Sequence, residues 1–269
     1  MVKILDCDAV VQQYNEQIKK RPNSAKNLVS ILTSEDPWSV KYQHYLEKDS
    51  KELGFSYNPQ HAKTDEELLE LIKKYNTENS VDGILLFYPL GKTIQSNRYC
   101  FANEITPKKD VEGLNCYNMG RLLQENGKVI APATAEAVVS VLQHHNYIFN
   151  GKLGLIINRS DVVGKPLRIM LEHLGMTVTA VYEETDREFI ADMISKSDLV
   201  VTAVSDEKYK LPNERVKKGS AVIAVNPSNI DEVRLMEKCS LLTSREKPLG
   251  RVTRKVTLNN LIKLQEIFR

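Results

Sequence analysis

The run Asn158-Arg159-Ser160-Asp161-Val162-Val163-Gly164-Lys165-Pro166 carries the side chains a phosphate would meet. Amide, guanidinium and hydroxyl groups sit in a turn, and a glycine and a proline follow that can open a helix. The turn comes after the apolar run Leu153–Ile157. A helix with the apolar face Leu167, Met170, Leu171 and Leu174 comes next, closed by Gly175, and then a second apolar run, Thr177–Val181. A strand, turn, helix and strand in that order would set backbone N–H groups and the positive end of a helix dipole at a strand's carboxyl end, where a phosphate or dinucleotide binds. Glu183 and Glu184 follow about twenty residues beyond the turn, where a carboxylate can take a ribose hydroxyl. The glycine pattern is partial: Gly164 is the only glycine in the turn, and Asn158, which tolerates left-handed backbone, stands where the first glycine of a dinucleotide fingerprint would be. An ordinary doubly wound unit with no nucleotide would read the same way.

These residues need a scaffold, and the rest of the chain supplies an alternating pattern. Residues 1–21 read as a strand and an amphipathic helix, 28–33 as an apolar strand, and Ser34-Glu35-Asp36-Pro37 as a turn that starts a helix over about 38–53. A short strand at 55–58 precedes a helix at 64–75, whose first turn holds Asp65, Glu66 and Glu67 as the helix dipole prefers. Residues 81–88 form a strongly apolar strand that ends at Pro89; a helix follows, then a loop over 106–120. A helix at 134–145 leads to a second alternating series, with strands at 153–157, 177–181, 199–203 and 221–225 and helices at 163–174 and 187–194. A terminal helix at 257–268 can return to the first series. Strands alternating with helices predict an α/β protein with two lobes, parallel sheets and a cleft between the lobes.

Composition excludes several classes. The chain has 269 residues, 42% hydrophobic and 27% charged, which is ordinary globular usage. With 37 basic against 35 acidic residues there is no bulk electrostatic case for nucleic acid or a membrane surface, and no aromatic–basic stripe is expected. No apolar run reaches the roughly 18 residues of a membrane span, and the start lacks a signal-peptide core, so a cytoplasmic protein is expected. Cys7, Cys100, Cys116 and Cys239 are scattered, with no histidine at ligand spacing; buried or incidental thiols are expected, and no metal.

Four stretches together resemble one family. DPWSVKY at 36–42, VDGILLFYPL at 81–90, KDVEGLNCYNMGRL at 109–122 and NRSDVVGKP at 158–166 are similar, in order and spacing, to the bifunctional methylenetetrahydrofolate dehydrogenase/methenyltetrahydrofolate cyclohydrolase family. The resemblance covers nearly the whole chain. It implies a folate-type α/β catalytic lobe over 1–130 and 250–269 and a Rossmann-like NAD(P)-binding lobe over 131–249. It also implies a tetrahydrofolate derivative as small-molecule substrate, NAD or NADP as cofactor, and a homodimer.

Carried over residue by residue, the resemblance is uneven. Tyr42 matches the family's site tyrosine, but the catalytic lysine one helical turn on is Leu46, and Lys48 matches a separate basic position. The glutamine that partners that lysine is Phe87, followed by Tyr88, Pro89 and Leu90. Leucine moves no proton, so the water-activating step is expected to be lost, with Leu46 and Phe87 forming an apolar pair. Asp110 matches the first aspartate of the folate loop, and Glu112 stands where the second holds the pterin ring; a carboxylate there accepts two N–H bonds. Tyr42 and Glu112 are thus the expected catalytic-site residues, with Pro89, Leu90 and Asp110 also lining the substrate. Thr134 survives in an altered Cys-Thr-Pro segment and joins Asn158, Arg159, Ser160, Gly164 and Glu183 as expected cofactor contacts. Ala224 stands where an aspartate is usual. The family's Gly-rich loop is replaced at 248–257, where Arg251, Arg254 and Lys255 would crowd a close ligand, grip an anion or be solvated in a loop. Glu183 would repel a 2′-phosphate, which predicts NAD over NADP. Hydride transfer needs mainly positioning, so two readings stand: a dehydrogenase without cyclohydrolase activity, or a catalytically silent homologue that binds a ligand or partner.

Overall fold

The computed structural model describes residues 2–21, 26–94, 98–125 and 127–268, with the backbone alone at 98–100. Cys100 therefore has no described side chain; Cys7 and Cys239 are buried free thiols and Cys116 is an exposed one. The elements in chain order are β1 (Lys3–Ile4), α1 (Cys7–Lys20), β2 (Asn27–Leu32), α2 (Pro37–Glu52), β3 (Ser56–His61), α3 (Asp65–Thr77), β4 (Gly83–Leu86), α4 (Arg98–Glu104) and α5 (Cys116–Leu123). They continue with α6 (Ala133–His144), β5 (Leu153–Ile157), α7 (Gly164–His173), β6 (Thr177–Val181), α8 (Arg187–Lys196), β7 (Leu199–Thr202), β8 (Ala221–Ala224), α9 (Glu232–Met236), β9 (Leu241–Leu242) and α10 (Gly250–Ile267). No helix among the described residues is long and apolar enough to cross a membrane.

The chain divides into two compact units. One comprises Met1–Gln12 and Thr134–Thr253; the other comprises Gln13–Ala133 and Arg254–Arg269. The chain passes from one unit to the other at Ala133–Thr134. The N-terminal stretch does not follow the expectation: β1 pairs in parallel with β9, Lys3 beside Leu241, and so residues 1–12 go with the nucleotide-type unit.

In that unit six parallel strands run in the order β1-β9-β8-β7-β5-β6. β7 and β8 are buried along their whole length, as strands covered on both faces must be. Leu155, Ile157, Val181, Val200, Val222 and Leu242 fill one side with Ile194 of α8. β5 has β6 on one side and β7 on the other, so the chain reverses its winding there, and a crevice opens at the carboxyl ends of such strands.

The other unit is a three-stranded parallel sheet, β3-β2-β4. Its two faces are sorted by the strand period of two. Leu28, Leu32, Leu85 and Phe87 face a cluster built with Leu46 and with Leu258, Leu261 and Leu264 of α10. Val29, Ile31, Ile84 and Leu86 face a second cluster with Leu68 and Ile72 of α3. Asp36 caps α2 by accepting from the Ser39 N–H at 2.8 Å, and Pro37 occupies the first turn, where its missing donor costs nothing.

Several elements depart from the sequence expectation, among them α9 and β9, which were not expected. Residues 116–120, expected at the end of a loop, lie in α5, started by Asn115, whose side chain accepts from the Tyr117 N–H at 2.8 Å. α10 begins at Gly250, well before residue 257, so Arg251, Arg254 and Lys255 lie on a helix and not in a loop.

Candidate functional site

In the three-stranded unit the candidate site draws on three parts of the chain. Tyr42 projects from α2, Glu112 from the segment between Lys109 and α5, and Thr257 from α10. The Thr257 hydroxyl donates to Glu112 Oε1 at 3.4 Å, and the same hydroxyl group hydrogen-bonds Tyr42. Thr257 was not among the expected site residues; its only sequence signal is its place seven residues after Gly250. Burial, followed by the charge of Asp110, pushes the Glu112 carboxyl up to about 8, with the Thr257 hydrogen bond opposing both. At neutral pH the free site therefore holds mostly a neutral carboxyl. Burial, followed by the charge of Glu112, raises the Tyr42 phenol, so it stays protonated.

Leu46 is fully buried in the same apolar cluster as Phe87, and the Tyr42 ring meets Phe87 edge-on with centroids 5.8 Å apart. Leu46 and Phe87 thus belong to one apolar cluster. Next to it, Ser30 accepts from Gln43 Nε2 at 3.1 Å and from the Tyr57 hydroxyl at 2.7 Å, so the polar atoms beneath α2 are partnered.

Asp110 and Leu90 take other parts than the ones expected. Asp110 is buried, and its carboxylate accepts from Glu112 N at 3.2 Å, Asn115 N at 2.8 Å and Asn118 Nδ2 at 2.9 Å. It braces the loop that presents Glu112 and starts α5, and does not face a ligand. Leu90 packs on the cluster of Val29 and Ile31, across the sheet from Tyr42. Pro89 is exposed in the loop after β4, which is held to the end of β2 by the Gly91 N–H on Thr33 Oγ1 at 2.9 Å.

Within the basic run, Arg254 and Lys255 are largely buried and ion-paired, whereas Arg251 is exposed and ion-paired. Asp49 of α2 takes Arg254 Nε at 2.5 Å and Lys255 Nζ at 2.9 Å, and the Lys255 side chain is only 4% exposed. Arg251 pairs with Asp8, and Lys247 with Asp6 at 3.0 Å. The Arg254 guanidinium also lies 5.9 Å from the Tyr42 ring centroid.

In the six-stranded unit the turn after β5 closes on Asn158. Its Oδ1 accepts from Ser160 N at 2.9 Å, Ser160 Oγ at 2.7 Å and Gly164 N at 3.0 Å, while its Nδ2 donates to Ala203 O at 2.8 Å. A Cβ on residue 164 would sit 2.3 Å from the Asn158 carbonyl oxygen, so only glycine lets α7 start so close to the strand. Several N–H groups expected to face a phosphate are already engaged: Gly164 by Asn158, Val163 by Ser160 Oγ at 3.1 Å and Lys165 by Ser160 O at 3.0 Å. Arg159 lies 4.8 Å above the Tyr182 ring, and its Nη2 is 2.7 Å from Glu184 Oε1. Glu183 is exposed beside that pair. The donor set fits a dinucleotide: a glycine-tight turn at the sheet's switch point, the hydroxyl and guanidinium of Ser160 and Arg159 for phosphate, and carboxylates for ribose. Thr134 lies instead in the first turn of α6, and no described hydrogen bond joins it to this turn.

Comparison with known proteins gives the family of both parts of the chain. Residues 5–112 match the catalytic domain of tetrahydrofolate dehydrogenase/cyclohydrolase, and residues 132–268 match its NAD(P)-binding domain. The bifunctional protein FolD of Streptococcus thermophilus is 31% identical over 272 residues, 94% of each chain, and that of Campylobacter concisus is 31% identical over 279 residues, 97% of this chain and 96% of that one. Among solved structures, a 5,10-methylenetetrahydrofolate dehydrogenase from the silkworm Bombyx mori superposes with a TM-score of 0.87 at 27% identity, covering 99% of both chains. The NAD-dependent 5,10-methylenetetrahydrofolate dehydrogenase of Saccharomyces cerevisiae gives 0.86 at 25% identity, over 99% of this chain and 98% of that one. An α/β catalytic domain with a folate-type loop, joined to a Rossmann-like NAD(P)-binding domain, makes this chain a member of the tetrahydrofolate dehydrogenase/cyclohydrolase family.

Proposed function

We propose that this chain is a methylenetetrahydrofolate dehydrogenase that prefers NAD and has lost the cyclohydrolase step. The observation that carries the reading is Leu46: fully buried in an apolar cluster with Phe87, it occupies the place the family resemblance gives to the lysine that moves a proton. Cyclohydrolysis needs an activated water and a proton carrier. Hydride transfer needs two rings held at the right distance and angle. Glu112, once ionised, accepts from the pterin edge, and Tyr42 gives an aromatic surface beside it. A bound nicotinamide cofactor would supply the hydride acceptor. The Asn158 turn, Arg159 and Ser160 would hold its phosphates.

The NAD preference rests on Arg159. Its guanidinium is already paired with Glu184 at 2.7 Å, with Glu183 next in the chain, so a 2′-phosphate would meet two carboxylates and a neutralised cation.

A silent homologue is the second reading, and one observation favours it: Arg254 stands over the Tyr42 ring, with α10 already helical where the family has a glycine-rich loop. Calorimetric titration with NAD, NADP and a stable tetrahydrofolate analogue, alone and together, separates the two. The dehydrogenase binds NAD more tightly than NADP, binds the folate, and oxidises methylenetetrahydrofolate without hydrolysing the methenyl product. If neither ligand binds at millimolar concentration, the enzyme reading falls.

A further inference from the structure

α10 is buried from Val252 to Ile262 except at Arg254, and two adjacent amides, Asn259 and Asn260, lie within that stretch. Asn259 accepts from Arg21 Nη1 at 3.3 Å. Asn260 faces elsewhere: its Nδ2 donates one hydrogen to Val111 O at 3.0 Å and the other to Ala131 O at 2.9 Å. Two carbonyls fix which way the amide is turned, since only its nitrogen can donate to them. Its Oδ1 is left buried with no partner among the described residues. An unpaired buried acceptor is unfavourable. The neighbouring Leu258, Leu261 and Leu264 fill the same core without it, so Asn260 differs from them in what it fastens.

What it fastens is the backbone around Glu112. The peptide group that joins Val111 to Glu112 is held at both ends: Asn260 binds its carbonyl, and the Asp110 carboxylate accepts its N–H at 3.2 Å. One turn earlier on the same face of α10, Thr257 reaches the Glu112 carboxyl at 3.4 Å. After Glu112, Gly113 has a φ of +66° and runs so close to residue 130 that a Cβ would collide with the Ile130 carbonyl oxygen. Asn260 binds the next carbonyl, that of Ala131. The chain on both sides of Glu112 and its carboxyl are thus all held, and α10 supplies two of the fasteners.

We infer that Asn260 is a positioning residue: it sets the Val111–Glu112 peptide so that the Glu112 carboxylate meets the pterin edge in register. The inference rests on the folate reading of this site. A carboxylate that accepts two N–H bonds from a flat ring must lie close to the plane of that ring. With the amide removed, the peptide is free to turn, the carboxylate leaves that plane, and water reaches it.

The test is calorimetric titration with a stable tetrahydrofolate analogue from pH 6 to 9, on the parent protein, Asn260→Ala and Asn260→Ser, each variant first checked by circular dichroism for the helix content of the parent. Asn260→Ala is expected to bind about tenfold more weakly at pH 8, less than the hundredfold that a full ångström of misplacement can bring. The pH at which affinity levels off also falls, because a solvated Glu112 carboxyl ionises more readily than a buried one. Asn260→Ser, which keeps one donor, lies between the two proteins in both readings. Affinity equal to the parent's overturns the positioning role. So does weaker binding with an unmoved pH midpoint, because a loss of packing alone leaves the surroundings of the carboxyl as they were. Should Asn260→Ala fail to fold, Asn260→Ser carries the same two readings. Absence of binding by the parent overturns the folate reading and this inference with it.

Discussion

Glu112 carries the most distinctive chemistry of any single residue here. Its carboxyl is raised from 4.5 to about 8 by burial and by the neighbouring charge of Asp110. The folded protein therefore holds a proton there that the unfolded chain releases near 4.5. The stabilisation is fully present below pH 4.5 and is lost as pH rises towards 8, by at most about 1.4 kcal/mol per pH unit. Urea unfolding at pH 5.5 and pH 8 checks this: Glu112→Gln should flatten the dependence, and an unchanged slope would show that Glu112 is not the group responsible. Ligand binding has the opposite sign. A pterin edge needs the carboxylate, so folate affinity should rise close to tenfold per unit from pH 6 to 8 in the parent protein and stay flat in Glu112→Gln, read by calorimetry in buffers of different ionisation heat. At Leu46 the prediction concerns packing. Leu46→Lys places a cation among Leu32, Leu85 and Phe87 and should cost roughly 3 kcal/mol or more of stability without restoring cyclohydrolysis. A variant as stable as the parent would show that the site accommodates a charge after all.

At the scale of elements, α10 decides most. A helix that opens with Arg251, Arg254 and Lys255 sets three cations at the positive end of its own dipole, which is unfavourable in isolation. The family resemblance places those residues in a loop. Asp8 and Asp49, remote in sequence, supply the carboxylates that allow the helix to start at Gly250. The Asp49 pairs are nearly dry, so removing the acid strands two cations. Asp49→Asn should destabilise the protein by about 3–5 kcal/mol, measured by chemical denaturation, and Lys255→Met added to it should recover part of the loss. A cost below about 0.5 kcal/mol would mean the pair is as weak as an exposed one.

At the scale of the whole molecule the chain is interleaved. The six-stranded unit takes its first strand from the N-terminus and the rest from the middle of the chain, whereas the three-stranded unit is closed by the C-terminal helix. Leu258, Leu261 and Leu264 of α10 are part of the cluster that covers Leu28, Leu32 and Leu85. A chain ending at Thr253 should therefore leave that sheet face open and prevent the three-stranded unit from folding, seen as lost amide protection over β2, β4 and α2. Protection there equal to that of the full chain would show that the helix is dispensable.

The sequence by itself determined the alternation of strands and helices, the turn that Gly164 makes possible, and the apolar side chains at positions 46 and 87. These are properties of local spacing and residue type, and hydrophobic period, glycine sterics and side-chain chemistry read them without a partner. The roles of Asp110, Thr257, Arg254 and Lys255, and the membership of β1 in the six-stranded sheet, were decided by tertiary structure alone. Asp110 looks like a ligand carboxylate until three donors from its own loop close on it, and Lys255 looks solvated until Asp49 buries it. Each of those outcomes depends on a charge or hydrogen-bonding group whose partner, except within the Asp110 loop, lies far away in the chain, and on desolvation that exists only once each unit has folded. The Asn158 turn shows both sides: its residue types announce a phosphate site, but which N–H groups remain for a ligand was settled by a side chain folding back on its own backbone.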